Sequence, residues 1–234
     1  MRYTTILFDA DDTLFDFKKA EYTALDDTLN EYNIPHSDCD IAEYSVINER
    51  TWKSFERGEI RRSEIGITRF GAFLKYIGRS DIDTVSFNKQ YSEHLSHNCF
   101  LFNGTISLLD ALKPLYSMYM ITNGTSRVQH GRLDDSGIGR YFNGVFISDD
   151  IGLSKPDREY FDYVLDRVDE KDISKILIVG DSLTSDIKGG IDSGIDTCHL
   201  NRKCVEYNDI SPTYSVRSID ELRSFLIDLS SEVT

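Results

Sequence analysis

Short runs of aliphatic and β-branched residues recur along the chain, each followed by a stretch with helical spacing. This alternation limits the possible folds more than any other feature. The runs are Tyr3 to Phe8, Met118 to Ile121, Val145 to Ile147 and Ile176 to Val179, with weaker ones at Thr197 to Leu200 and Tyr214 to Val216. Strands that alternate with helices indicate a parallel sheet covered on both faces. Leu108, Leu109, Leu112 and Leu115 mark one of the covering helices, and Phe161, Val164, Leu165 and Val168 mark another, both at 3- and 4-residue spacing. Gly137 and Gly194 stand where glycines end helices.

One segment breaks the pattern. Between Phe17 and His97 no strand is legible, while Leu25, Leu29 and Tyr32, then Ile41, Tyr44 and Ile47, then Phe70, Phe73, Leu74 and Ile77, then Tyr91 and Leu95 mark successive amphipathic helices. The expected architecture is therefore α/β. A doubly wound, Rossmann-like parallel sheet is built from residues 1–16 and 97–234, and an all-helical module is inserted at residues 17–96.

Composition narrows the function classes. With 40% hydrophobic and 28% charged residues, the 234-residue chain can bury a real core. Acidic residues outnumber basic ones by 40 to 26, and a net charge of -14 without a local basic patch argues against nucleic-acid polymers and anionic membranes as partners. No apolar run approaches the ~20 residues needed to cross a bilayer. The start, Met1-Arg2-Tyr3-Thr4, leads into a strand without a cleavable signal pattern, so a cytoplasmic location is expected. In that setting the Asn-Gly-Thr sequons at Asn103 and Asn123 are not glycosylation sites. Cys39, Cys99, Cys198 and Cys204 are too irregularly spaced for a disulfide framework and read as reduced thiols. Cys198-His199 with Cys204 reads as strand and loop in preference to a metal site.

The chemistry is concentrated where strands end. The first run closes on Asp9-Ala10-Asp11-Asp12-Thr13, three carboxylates directly after a buried strand, which packing would never require. Ile121 leads into Thr122-Asn123-Gly124, Val179 into Gly180-Asp181, and the loop beyond Ile147 reaches Ser154-Lys155-Pro156. In open parallel sheets, ligands bind beyond the carboxyl ends of the strands. Taken singly, each piece is ordinary turn or capping chemistry. Together, in order and each on a strand end, they describe one site.

This ordered set resembles the haloacid dehalogenase superfamily over essentially the whole chain. The four motifs fall on Asp9 to Thr13, Thr122-Asn123, Lys155-Pro156 and Gly180-Asp181-Ser182-Leu183-Thr184-Ser185-Asp186. The resemblance implies that residues 17–96 are a mobile cap over the active site, and the chemistry of the residues agrees with it. Asp9 is expected as a carboxylate nucleophile that accepts a phosphoryl group. Asp11, two residues on, is expected to give a proton to the leaving oxygen and later take one from water, with a crowd of carboxylates favouring its protonated form. Such a crowd cannot face a phosphate dianion without a cation. Magnesium, with manganese as a substitute, is expected on Asp9, the backbone carbonyl of Asp11 and Asp181. Asp186 would orient a metal-bound water or Lys155, and Thr13 would brace the nucleophile turn. Thr122 and Asn123 are expected to donate to the phosphoryl oxygens, Lys155 to neutralise their charge, and Asp12 to be an exposed neighbour.

Within the superfamily, the sequence is most similar to the pyrimidine 5′-nucleotidases that clear noncanonical nucleotides. That likeness includes Trp52, Gly58 and Arg69-Phe70 in the inserted segment. It implies a small-molecule phosphomonoester as the partner, specifically a pyrimidine nucleoside monophosphate. A general small-molecule or sugar-phosphate phosphatase and a phosphoglucomutase-like phosphotransferase remain the alternatives. Dehalogenases and phosphonatases lack the second acid, so Asp11 argues against both. A non-catalytic sensor of phosphorylated ligands would have lost Asp9, Asp11 or Lys155. Trp52, Phe55, Phe70 and Phe73 can stack a base, though helical spacing favours core packing for Phe70 and Phe73. Arg57, Arg61, Arg62 and Arg69 can bond a base or ribose, or simply be solvated.

Overall fold

The computed structural model of the protein describes residues 2–231. Six strands form one sheet: β1 (Thr5–Asp9), β2 (Ser117–Thr122), β3 (Gly144–Ile147), β4 (Ile176–Gly180), β5 (Asp196–Leu200) and β6 (Tyr214–Val216). The spatial order is β3-β2-β1-β4-β5-β6, and every pairing is parallel. Successive side chains point to opposite faces, and the central strands are apolar on both. Ile6, Phe8, Met118, Met120, Leu177 and Val179 join one buried cluster, whereas Leu7, Tyr119, Ile121, Ile176 and Ile178 join another on the opposite face.

Ten α-helices accompany the sheet among the described residues. α1 (Phe17–Glu31), α2 (Asp38–Glu56), α3 (Ile65–Tyr76) and α4 (Thr84–His97) lie between β1 and β2. The others are α5 (Thr105–Leu112), α6 (Ser126–Ser136), α7 (Ser148–Ile151), α8 (Arg158–Arg167), α9 (Lys188–Asp192) and α10 (Ile219–Ser231). Leu108, Leu109 and Leu112 of α5 and Leu222, Leu226 and Leu229 of α10 cover the first face, while Tyr160, Phe161 and Val164 of α8 cover the second. Gly137 caps α6 and Gly194 follows α9, both with left-handed backbone. No described helix is long and apolar enough to cross a membrane, and all four cysteines are free.

The four inserted helices enclose an apolar cluster of their own, which includes Leu25, Leu29, Tyr44, Phe70, Phe73 and Tyr91. Ser37 and Asp40 form a reciprocal cap at the start of α2, and Asp83 caps α4. Tyr44 stacks on Phe70 with ring centroids 5.2 Å apart, and Phe70 and Phe73 are fully buried. These two rings are core, as their helical spacing favours, and stack no ligand. Val128 of α6 enters the same cluster, so the inserted helices share apolar contact with a helix of the sheet layer.

From β1 the sheet grows one way to β2 and β3 and the other way to β4, β5 and β6. This reversal opens a crevice at the carboxyl ends of β1, β2 and β4. α1, α2, α3 and α4 all contribute to the wall facing it.

Candidate active site

Asp9 is the last residue of the central strand and is almost wholly buried. Its two carboxylate oxygens are held from opposite sides. Lys155 Nζ donates to Oδ1 at 2.7 Å, and Thr13 Oγ1 donates to Oδ2 at 2.8 Å. Thr13 thus braces the carboxylate itself. Lys155 also donates to Asp186 Oδ1 at 2.7 Å and to the Ile121 carbonyl at 3.1 Å, which engages all three of its protons. Burial opposes the charge on Lys155, but facing Asp186 and Asp9 more than reverses this and raises its pKa above the ordinary lysine value.

The acids respond in the opposite sense. Burial, then the charge of Asp186, pushes Asp9 up to about 7 against the pull of Lys155. Burial, then Asp9 and Asp186, raises Asp181 well above the usual carboxylate range. Asp9, Asp181 and Asp186 each bring a carboxylate oxygen within 4.8 Å of the others. An all-oxygen cluster whose members repel one another fits a hard divalent cation such as magnesium. Asp186 belongs to this cluster, while its Oδ2 accepts from the Ser182 N–H at 3.1 Å.

Sequence expectations are corrected at three residues, Asp11, Asp12 and Asn123. The carboxylate of Asp11 lies apart from the acidic cluster. Its oxygens accept from Arg132 Nη1 and, at 2.6 Å, from Gln129 Nε2, so its polar partners are a cation and an amide rather than a crowd of carboxylates. Asp12 is half-buried, not exposed. It takes a left-handed backbone, φ 55°, in the turn that closes Leu14 and Phe15 back onto the Ala10 carbonyl. Arg202 fastens the same turn by donating to the carbonyls of Asp12 and Thr13.

Thr122 Oγ1 accepts from the Gly124 N–H at 3.0 Å and keeps its own proton for a ligand. The Asn123 side chain is differently occupied from the expectation. Its Oδ1 accepts from the Lys155 N–H at 2.9 Å and its Nδ2 donates to the Lys155 carbonyl at 2.7 Å, so the amide aligns the lysine loop. The inserted helices reach the rim through two ties. Arg62 donates to the Asn123 carbonyl at 3.1 Å and to Ser148 Oγ, and Glu56 accepts from Thr184 Oγ1 at 2.9 Å. A cavity is left between rim and helices, lined by Asp9, Asp11, Thr122 and Lys155 below and by Asn48, Trp52 and Arg69 above. Arg57 and Arg61 are exposed, and Arg57 pairs with Glu59.

Sequence reading misses Arg132, Gln129, Arg202 and Glu56, and Arg62, expected on a base, ribose or solvent, instead ties to the Asn123 carbonyl and Ser148. For Arg132 and Gln129 a signal exists. Both fall on the helical face that also carries Val128 and Leu133, where an apolar residue is the norm. His199, at most a weak metal ligand by sequence, contacts the Asp181 carbonyl through Nε2 at 2.9 Å and Tyr207 through Nδ1, and Cys198 is buried in the sheet.

A parallel sheet of this order, with a lysine-locked carboxylate at its switch point and helices inserted over it, defines an α/β protein with an acidic site where such sheets bind ligands. The chain matches the model of the haloacid dehalogenase-like hydrolases over residues 3–194 and belongs to that family. It is 40% identical to the Bacillus subtilis HAD-hydrolase YfnB across 96% of both chains. A crystal structure of YfnB bound to magnesium, described as revealing interdomain movement, superposes with a TM-score of 0.92 over 97% of this chain and 99% of that one. The chain is also 33% identical to the pyrimidine 5′-nucleotidase YjjG of Escherichia coli, covering 97% of this chain and 99% of that protein. For the pyrimidine 5′-nucleotidase PynA of Streptococcus pneumoniae the identity is 35%, with 95% and 94% covered.

Proposed function

We propose that the protein is a magnesium-dependent phosphomonoesterase that passes through an aspartyl-phosphate on Asp9 and takes pyrimidine nucleoside 5′-monophosphates as substrates. The observation that carries this reading is the setting of Asp9. It is a carboxylate clamped between Lys155 and Thr13 at a cavity floor, with Asp11 lining the same cavity. Asp9 attacks phosphorus and the bond to the ester oxygen breaks, while Asp11 gives that oxygen its proton. Water then attacks the aspartyl-phosphate and yields a proton to Asp11. The bond from phosphorus to Asp9 breaks, which restores the carboxylate. The Thr122 hydroxyl donates to a phosphoryl oxygen, and Lys155 balances the charge gathered there.

Magnesium, held by Asp9 and Asp181 with the Asp11 carbonyl, would supply the positive charge that lets a phosphate dianion approach these acids, and manganese would substitute. Asp186 lies close enough to these carboxylates to orient a water of the ion, as well as Lys155. Residues 17–96 act as the cap, in which Trp52 and Arg69 meet the leaving group. The nucleotide assignment draws support from the two pyrimidine 5′-nucleotidases among the relatives.

The test is phosphate release from a panel of phosphorylated metabolites with magnesium. Pyrimidine 5′-monophosphates should show higher kcat/KM than hexose phosphates or p-nitrophenyl phosphate. Equal efficiency across the panel overturns the nucleotide reading. Asp9→Asn should cost at least ~1000-fold in turnover with the fold intact, the scale of other lost nucleophiles. Retention of much of the activity by a pure, folded variant removes Asp9 from that role.

A further inference from the structure

We propose that Gln129 and Arg132 of α6 are positioning residues that clamp Asp11 for proton transfer. The proposal rests on the acid–base role given to Asp11 above. Gln129 and Arg132 lie three residues apart on one helical face, and between them they take both oxygens of the Asp11 carboxylate. The loop before them is shaped for this arrangement. A β-carbon on Gly124 would overlap the Gln129 amide as it is placed here, so glycine at this position leaves room for the clamp. From the other side, the Arg132 guanidinium lies 4.3 Å from the centre of the Phe15 ring. Phe15 closes the Asp11 turn, since its N–H donates to Ala10 and its carbonyl accepts from Asp12.

Stability gives no reason for these residues. The Arg132 side chain is fully buried, and its Nε and Nη2 have no partner, nor does Gln129 Oε1. Burying a guanidinium against a single carboxylate returns less than well-packed apolar side chains of the same volume would. What the pair provides is a fixed orientation for Asp11 at the cavity wall. A proton donor misplaced by about an ångström loses most of its effect on the rate.

The experiment compares two substrates that differ in their need for a proton. The alkoxide leaving from a nucleoside 5′-monophosphate needs one, and dinitrophenolate leaving from 2,4-dinitrophenyl phosphate does not. In Arg132→Met, kcat on the nucleotide should fall about 100-fold, the lower range for a lost general acid. The pre-steady-state burst of dinitrophenolate should keep its wild-type rate. Gln129→Leu should show the same split with a loss of about tenfold, the size of one hydrogen bond, and Arg132→Lys should recover part of the Arg132→Met loss. Asp11→Asn run in parallel must show the split too. If it does not, the acid–base reading of Asp11 has failed and the clamp fails with it. If it does, and the clamp variants lose both activities equally, only the clamp is overturned. Should Arg132→Met not fold, Gln129→Leu decides by the same criterion.

Discussion

At the scale of single residues, the site stores electrostatic tension that a cation would release. Asp9 is pushed up to about 7, first by burial and then by Asp186, and Asp181 is raised by burial, Asp9 and Asp186. Both therefore bind protons more tightly when folded than in the unfolded chain, where an aspartate titrates near ~3.9. For Asp9 the stability that follows is fully present below about pH 4 and is lost as pH rises through about 7, and for Asp181 it is lost above the usual carboxylate range. In chelator, the melting temperature should fall across that window, and Asp181→Asn should flatten the fall. Added magnesium should raise the melting temperature more at pH 8 than at pH 5, because only the ionised acids bind it. A magnesium shift of equal size at both pH values would show that these carboxylates do not hold the ion.

At the scale of elements, the loop after β4 works because its strand ends in glycine. Gly180 faces Asp186 across the π-helical turn Leu183–Ile187, and a β-carbon on residue 180 would overlap the Asp186 carboxylate. Asp186 cannot retreat freely, since one oxygen holds Lys155 and the other the Ser182 N–H. Gly180→Ala should thus cost about 1–3 kcal/mol of stability, as overpacking does, and depress activity by moving Lys155. Gly71 is the contrasting case, within α3, where an added β-carbon would meet no atom within 4 Å. Gly71→Ala should stabilise the protein by about 0.5–1 kcal/mol and leave turnover unchanged. Urea unfolding and initial rates on the two variants test both expectations. Similar behaviour of the pair would mean that the contact between Gly180 and Asp186 has no consequence.

For the whole molecule, the proposed function divides labour between a sheet rim that would offer phosphoryl chemistry and inserted helices that would meet whatever the phosphoryl group is attached to. Of the four rings considered from sequence, Phe70 and Phe73 hold the helices together and Phe55 lies beside Arg62, which leaves Trp52 on the cavity wall. Arg69 is also on that wall, with Nη1 on Asn48 at 2.9 Å and Nη2 on Asn88 at 2.9 Å. Trp52→Leu should reduce kcat/KM for pyrimidine nucleotides by about 3- to 10-fold, the value of one aromatic contact, and change hexose phosphate hydrolysis little. Equal losses on both substrates would remove Trp52 from substrate selection.

The strands, the covering helices and the helical insertion are legible in the sequence because each depends on a local pattern. Alternation of strand and helix dictates parallel pairing, and 3- and 4-residue spacing marks Leu25, Tyr44, Phe70 and Tyr91 as inward-facing without any knowledge of what they touch. The site is legible to the same depth. Asp9, Thr122, Lys155 and Asp181 stand at strand ends or in the loop beyond one, and the sheet order brings those ends together. What stays hidden is every choice of partner made through space. Asp11 is joined to a helix residue 121 positions away, and Asn123 is engaged with a loop 32 positions on. Such pairings depend on where α6 and the lysine loop settle against the sheet. A buried polar group must bond whatever donor or acceptor that packing delivers, so periodicity determined which residues face inward, and only the tertiary structure decided which polar groups meet.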